Sequence, residues 1–274
     1  MRIDARGFTF DVRAGGPQDG PPVLLLHGFP QHGGEWDDVV PALHAAGLRT
    51  YALDQRGYSP GARPETVGAY RLAELVADAA AVLDALGVDA AHVVGHDWGA
   101  VVGWGLAAGH PDRVRTLTAV SVPHPAAMAH ALTADPQQQA RSAYMLLFRQ
   151  AGAAEKALLA LNATGLRRML SGVGAADRVA AYAEPMLAPG ALTGALNWYR
   201  AMSRDDLAAV GPVRVPTTYV WSDRDAAIGR TAAEACAAHV TGDYRFAELA
   251  GVSHWIPDEA PAPLAEAILA RIRG

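Results

Sequence analysis

Three side chains that together could run covalent hydrolysis occur in the order Asp97, Asp225 and His254. Asp97 stands in Gly95-His96-Asp97-Trp98-Gly99, directly after the apolar run Ala91-His92-Val93-Val94. Such a run reads as a buried strand, and the flanking glycines permit a sharp turn into the small-residue stretch that follows. A carboxylate is ionised at pH 7 and can attack saturated carbon without help from a base. The product is an ester whose acyl carbon belongs to the aspartate itself. Releasing it takes water, a base to activate the water, and an acid to orient the base. His254, in Gly251-Val252-Ser253-His254-Trp255, lies in a polar turn after a predicted strand and is the base the order of groups demands. Asp225 precedes it by 29 residues, room for one helix, one strand and a loop, and is the orienting acid. Its neighbour Asp223 reads as turning the chain. The preceding strand ends Ser121-Val122-Pro123-His124, with no carboxylate to take that part. The turn at Asp97 holds no serine or cysteine, which argues against serine-type esterase chemistry. His96, His110 and His124 read as structural or loop residues, and Cys236 as a small buried helix residue.

These groups need elements to hold them. Phe8-Thr9-Phe10-Asp11-Val12 alternates like a half-exposed strand, whereas Pro22–Leu26, Thr50–Leu53, Val114–Val122, Thr217–Trp221 and Tyr244–Leu249 read as further strands. Leu72, Leu75, Val76, Ala79, Val82, Leu83 and Leu86 fall at helical spacing, with Arg71, Glu74 and Asp78 assigned to the opposite side and Gly87 as the stop. A small-residue helix is predicted from Trp98 to Ala108, another helix near 230–240, and a terminal one with Leu264, Ile268 and Ile272 on one face. Strand and helix alternate with short connections, the signature of a mostly parallel sheet covered on both faces. All three candidate groups then sit at the carboxyl edge of the sheet, where ligands collect. The rhythm breaks between about 125 and 210, a stretch rich in Ala, Leu, Gln and Arg at helical spacing. The expected organisation is an α/β core of 1–124 and 211–274 with an all-helical cap of 125–210.

The bulk figures fit one enzyme-sized domain with an insertion: 274 residues, 51% hydrophobic and 19% charged, with net charge −5. No basic run points to nucleic acid, and no apolar stretch of about 18 residues points to a membrane span. One cysteine and no apolar signal core behind Met1 give a cytoplasmic expectation. No metal or organic cofactor is implied, and the chain is expected to act as a monomer or homodimer.

The loop His27-Gly28-Phe29-Pro30 follows the strand at 22–26 and can aim a backbone N–H inward. Phe29 and Trp98 would then supply two amides to an oxyanion on the Asp97 side chain.

His-Gly-Phe-Pro at 27–30, Asp-Gln-Arg-Gly-Tyr-Ser at 54–59, Gly-His-Asp-Trp-Gly at 95–99, Asp225 and Ser253-His254 together resemble the epoxide hydrolases of the α/β-hydrolase fold, soluble type. The resemblance covers nearly the whole chain. It implies an eight-stranded, mostly parallel sheet with helices on both faces and an inserted helical cap. It also implies an aspartate nucleophile, and cap tyrosines that bind and protonate the epoxide oxygen. Two segments are similar to those tyrosine sites: Ser142–Phe148, carrying Tyr144, and Leu196-Asn197-Trp198-Tyr199-Arg200, carrying Tyr199. Helical spacing supports the second, because Leu192, Ala195, Leu196 and Tyr199 share one stripe. Tyr182 and Tyr58 are weaker candidates. Trp98, Met145, Leu147, Phe148 and Trp198 are the expected lining of an apolar pocket. The implied reaction adds water to a small apolar epoxide, giving a vicinal diol. Haloalkane and haloacid dehalogenases share the aspartate nucleophile. The former usually carry Asn where Phe29 stands, and the latter carry arginines near the nucleophile, where this chain has Trp98 and Val101. A non-catalytic ligand-binding hydrolase fold is the alternative of another class.

Overall fold

The short apolar runs pair into one eight-stranded sheet in a computed structural model that describes residues 1–274. The strands are β1 (Arg2–Ala5), β2 (Phe8–Gly15), β3 (Pro22–Leu26), β4 (Arg49–Leu53), β5 (Ala91–His96), β6 (Val114–Val120), β7 (Thr217–Ser222) and β8 (Tyr244–Leu249). Their spatial order is β1-β2-β4-β3-β5-β6-β7-β8. β2 pairs antiparallel with β1 and β4, and all other neighbours run parallel. β1 is an element the sequence reading lacked: only Ile3 and Ala5 of its four residues are buried, too short an alternation to stand out.

Helices α1 (Val40–Ala45), α2 (Leu72–Ala85) and α3 (Trp98–Gly109) follow β3, β4 and β5. From β6 to β7 the chain is helical: α4 (Pro125–Ala134), α5 (Pro136–Arg141), α6 (Tyr144–Phe148), α7 (Ala153–Met169), α8 (Ala176–Ala183), α9 (Ala191–Ala201) and α10 (Arg204–Ala208). α11 (Arg230–Ala235), α12 (Ile256–Glu259) and α13 (Pro261–Arg273) complete the chain. α2 and α3 cover one face of the sheet, and α1 and α13 the other. The pleat divides β3 accordingly: Val23 and Leu25 join the core under α1 and α13, whereas Leu24 and Leu26 join the larger core under α2 and α3.

Gly87 ends α2 with φ 68°, and Val88 N–H closes back onto Leu83 O at 2.9 Å, the wrap a left-handed glycine permits. Asp78 departs from the expectation of a solvent-facing position. It is buried and receives the Arg56 guanidinium through Nε at 2.6 Å and Nη2 at 2.6 Å. A helical wheel sees the charge but not the partner arriving from the 54–59 loop. The helix expected near 230–240 is α11 followed by a 3₁₀ turn at Cys236–His239. α7 is broken by Leu161, Asn162 and Ala163, which all adopt positive φ. No helix is long and apolar enough to cross a membrane.

Candidate active site

Asp97 occupies the sharp turn between β5 and α3, at the carboxyl end of a central strand. Its φ of 51° and ψ of −118° are conformations a non-glycine residue rarely adopts. The turn is possible only because its flanks are bare. A Cβ on Gly95 would run into the Gly99 backbone, and one on Gly99 into the Leu26 carbonyl. A Cβ on Gly28 would strike the Asp97 side chain itself, so the 27–30 loop lies directly against the carboxylate. Phe29 N–H donates to Asp97 Oδ1 at 2.9 Å. Trp98 opens α3, so its N–H belongs to the helix-start donors that have no partner within the helix.

The 27–30 loop is held by the neighbouring loop at 54–59. His27 Nε2 accepts from Gln55 N–H at 3.0 Å, and Gln55 Nε2 donates to His27 O at 2.6 Å. Burial pushes the His27 imidazole down to about 4, which keeps it neutral. Nδ1 then donates to Gly28 O at 3.0 Å. Arg56 anchors the same loop on Asp78, and its carbonyl accepts from Trp198 Nε1 at 2.8 Å. The loop therefore serves both sides: it steadies the Phe29 amide and seats α9, which carries Tyr199.

His254 Nε2 lies 3.4 Å from Asp97 Oδ2, and its Nδ1 donates to Asp225 Oδ2 at 2.8 Å. Asp225 Oδ1 accepts from the amides of Ala227 at 2.7 Å and Ile228 at 2.9 Å, so this carboxylate cannot swing away. Asp223, expected to turn its own chain, instead reaches across to the loop after β8, accepting from Gly251 N–H at 2.7 Å. Burial works against a charged His254, but the Asp225 and Asp97 carboxylates outweigh it and raise the imidazole to about 10. For Asp97, burial favours the neutral acid; the His254 imidazolium and the Phe29 amide overcome that and hold the carboxyl below its usual range. The resting site is thus a carboxylate–imidazolium–carboxylate row.

Tyr144 and Tyr199 face the same carboxylate from the helical segment. Both line, with Asp97, a cavity of about 420 Å³ whose wall also holds Phe29, Phe148 and His254. Tyr199 packs edge-on against Phe148 at 5.0 Å, Trp98 at 5.1 Å and Phe29 at 5.4 Å between ring centroids. Tyr144 is in polar contact with Tyr199, and Tyr199 with the Trp98 indole, and no carboxylate or carbonyl accepts from either hydroxyl. Burial, reinforced by Asp97, pushes both phenols well above their usual range. Both stay protonated and free to donate.

Of the expected lining, Phe148 and Leu147 border the large cavity, and Trp98 and Met145 a smaller one beside it. Trp198 corrects the expectation: it borders neither cavity. It is almost fully buried behind Trp98, with its indole N–H committed to Arg56 O. α9 is buried nearly all round, so spacing alone could not tell which of its aromatics meets the cavity. Tyr182 donates to Asp258 Oδ1 at 2.8 Å and is committed there, whereas Tyr58 packs on His27 at 4.4 Å and borders neither cavity. His124 caps α4 by accepting from Ala126 N–H at 3.2 Å, and Cys236 is buried and unpaired.

The sequence reading missed the layer behind the imidazole. His254 O accepts from Ser121 Oγ at 2.9 Å and lies 2.9 Å from His96 Nε2. The other nitrogen of His96 is 3.3 Å from Glu35 Oε2, and both residues are fully buried. Burial lowers His96 to about 4 and pushes the Glu35 carboxyl well up. A neutral acid there donates to Nδ1 while Nε2–H donates to the His254 carbonyl. Three segments distant in sequence build this layer, and the one local hint was a charged residue between Gly34 and Trp36. No group of three or more His, Cys, Asp or Glu is arranged to hold a metal ion.

Residues 21–261 match the family model described as the alpha/beta hydrolase fold. The chain is 33% identical to epoxide hydrolase A of Mycobacterium tuberculosis, over 99% of this chain and 96% of that protein. It is 34% identical to an AB hydrolase superfamily protein, YfhM, of Bacillus subtilis, over 97% of this chain and 95% of that protein. Among solved structures it is similar to a mutant of an epoxide hydrolase from Bacillus megaterium in complex with its diol product. There the TM-score is 0.91 and the identity 26%, and all of both chains is covered. Fold and relatives agree: the chain belongs to the alpha/beta hydrolase fold family and is a hydrolase of its epoxide hydrolase group.

Proposed function

We propose that this protein converts an apolar epoxide to a vicinal diol through an ester on Asp97, with Tyr144 and Tyr199 as proton donors and helices α4–α10 acting as the cap. What most supports the reading is the meeting of an ionised carboxylate and two neutral phenols at one cavity, with a buried imidazole 3.4 Å from the carboxylate.

In the first step an Asp97 oxygen attacks one ring carbon and the ring C–O bond breaks toward the phenols. A phenol proton passes to the departing oxygen, leaving a hydroxyalkyl ester and a tyrosinate. The ester carries no charge, so His254 loses one of the two carboxylates that raised it and gives up its extra proton. The site regains a neutral imidazole and, by way of solvent, two neutral phenols. In the second step His254 takes a proton from water as the water oxygen attacks the Asp97 carbonyl carbon. The developing oxyanion sits where Phe29 N–H already donates at 2.9 Å, with Trp98 N–H as the second donor. Collapse breaks the acyl–oxygen bond and the diol oxygen takes the proton from His254; the second proton of the water, left on the Asp97 carboxyl, then passes to the imidazole and restores the carboxylate–imidazolium pair. Asp225, fixed by its two amides, holds the imidazole tautomer throughout.

The test is His254→Gln. Incubated with styrene oxide, the variant gains one substrate mass on the peptide containing Asp97, because the ester forms but is not hydrolysed. No adduct with any of several reactive epoxides, or halide release from a haloalkane in place of diol formation, contradicts the proposal.

A further inference from the structure

Two spaces of unequal size meet beneath the phenols. Asp97, Tyr144, Tyr199 and Ala227 border both. The larger, of about 420 Å³, runs out past Phe148, Leu147 and Trp255. The smaller, of about 40 Å³, lies on the other side of the carboxylate against Val101, Met128, Met145 and Ile228. Three of those four walls are buried: Val101, Met128 and Ile228 expose 7%, 6% and 3% of their surface. For scale, an apolar cavity of about 150 Å³ takes one benzene ring. The larger space therefore takes an aryl or long alkyl group with room to spare, whereas the smaller takes one or two small atoms.

An epoxide poised for the reaction places its oxygen at the phenols and one ring carbon over Asp97. Its substituents then diverge along the line joining the two spaces. We infer, on the epoxide reading above, that the site selects epoxides with one large apolar arm and a second arm no bigger than methyl: terminal aryl or alkyl epoxides and their methyl homologues. Met128 and Met145 act as specificity-determining residues because they close the small side. A trans epoxide with a ring on each carbon has no place for its second ring unless these side chains move, and close-packed walls resist that.

A graded series tests this: styrene oxide, trans-β-methylstyrene oxide and trans-stilbene oxide, which differ only in hydrogen, methyl or phenyl on the second carbon. The expected kcat/KM values for the first two lie within about tenfold of each other, and that for stilbene oxide at least ~100-fold lower. Met128→Ala enlarges the small space without touching a reacting group and should raise the stilbene-to-styrene ratio by about tenfold or more. Met145→Ala serves the same end if Met128→Ala does not fold, as judged by its thermal transition. Stilbene oxide turned over within tenfold of styrene oxide by the unaltered protein overturns the inference, as does an unchanged ratio in a folded variant. Absence of turnover and of any Asp97 adduct across the whole series instead overturns the epoxide reading on which it rests.

Discussion

Removing the two phenol hydroxyls separates a proton-donating pair from a pair of packed aromatics. Tyr144→Phe and Tyr199→Phe keep the rings, and with them the edge-on contacts of Tyr199 with Phe148, Trp98 and Phe29. Neither hydroxyl donates to a carboxylate or carbonyl, so the fold loses only the contact of the hydroxyls with each other and with the Trp98 indole: each single change should cost about 1 kcal/mol, the worth of one neutral hydrogen bond. The chemistry loses more. A hydrogen bond to a charged group is worth ~1.5–3 kcal/mol, and the departing epoxide oxygen carries such a charge in the transition state. At 1.36 kcal/mol per decade, each single variant should form the ester about 10–150-fold more slowly. The double variant has no acid near the oxygen and should lose the full general-acid contribution, about 10²–10⁴-fold. The assay is single-turnover ester formation, followed by quenched mass spectrometry or by fluorescence of Trp98, which follows Asp97 in the chain. A double Phe variant that forms the ester within tenfold of the parent rate would show that the phenols are packing residues and that another group supplies the proton.

Three further outcomes follow from the same contacts. Gly99→Ala places a Cβ against the Leu26 carbonyl, and strand backbone cannot retreat, so the variant should lose at least ~2 kcal/mol in chemical denaturation and nearly all activity. Asp78→Asn leaves the buried Arg56 guanidinium with the Ala69 carbonyl and one carboxylate, Glu74 at 4.0 Å, and should cost about 3 kcal/mol by the same measurement. The pH dependence has a defined sign. His254 is raised from 6.5 in the open chain to about 10 in the fold, so its stabilising contribution is complete below pH 6.5 and is lost as pH rises toward 10. Thermal midpoints should fall across that window in the parent, and His254→Gln should lack that component of the decline.

Much of this was legible in the sequence because the chemistry imposes local patterns. The bare flanks of Asp97 mark a turn that excludes a Cβ on either side, and the apolar runs before it, before His27 and before Asp225 mark strands buried on both faces. Asp225 could be preferred over Asp223, though only the structure gives the reason: two amides at Ala227 and Ile228 hold one carboxylate, while the other ties down Gly251. What escaped were contacts between segments far apart. Asp78 looks solvent-facing on its own helix until Arg56 is brought to it, and Trp198 looks like pocket lining until its indole N–H is found bonded to Arg56 O. Glu35 and His96 carry no local sign of their pairing, since 61 residues separate them. Cavity walls such as Met128 on α4 and Ile228 in the loop after β7 come from segments on either side of β7 in the chain, and no local pattern marks them as neighbours.

The most direct test is the fate of one oxygen atom. In a single turnover of excess enzyme with styrene oxide in ¹⁸O-labelled water, the label should appear in the carboxylate of Asp97, and the first diol released should carry an unlabelled oxygen donated by that residue. Label found in the diol after that one turnover, with an unlabelled Asp97 peptide, would mean that water opens the ring directly and that no ester forms.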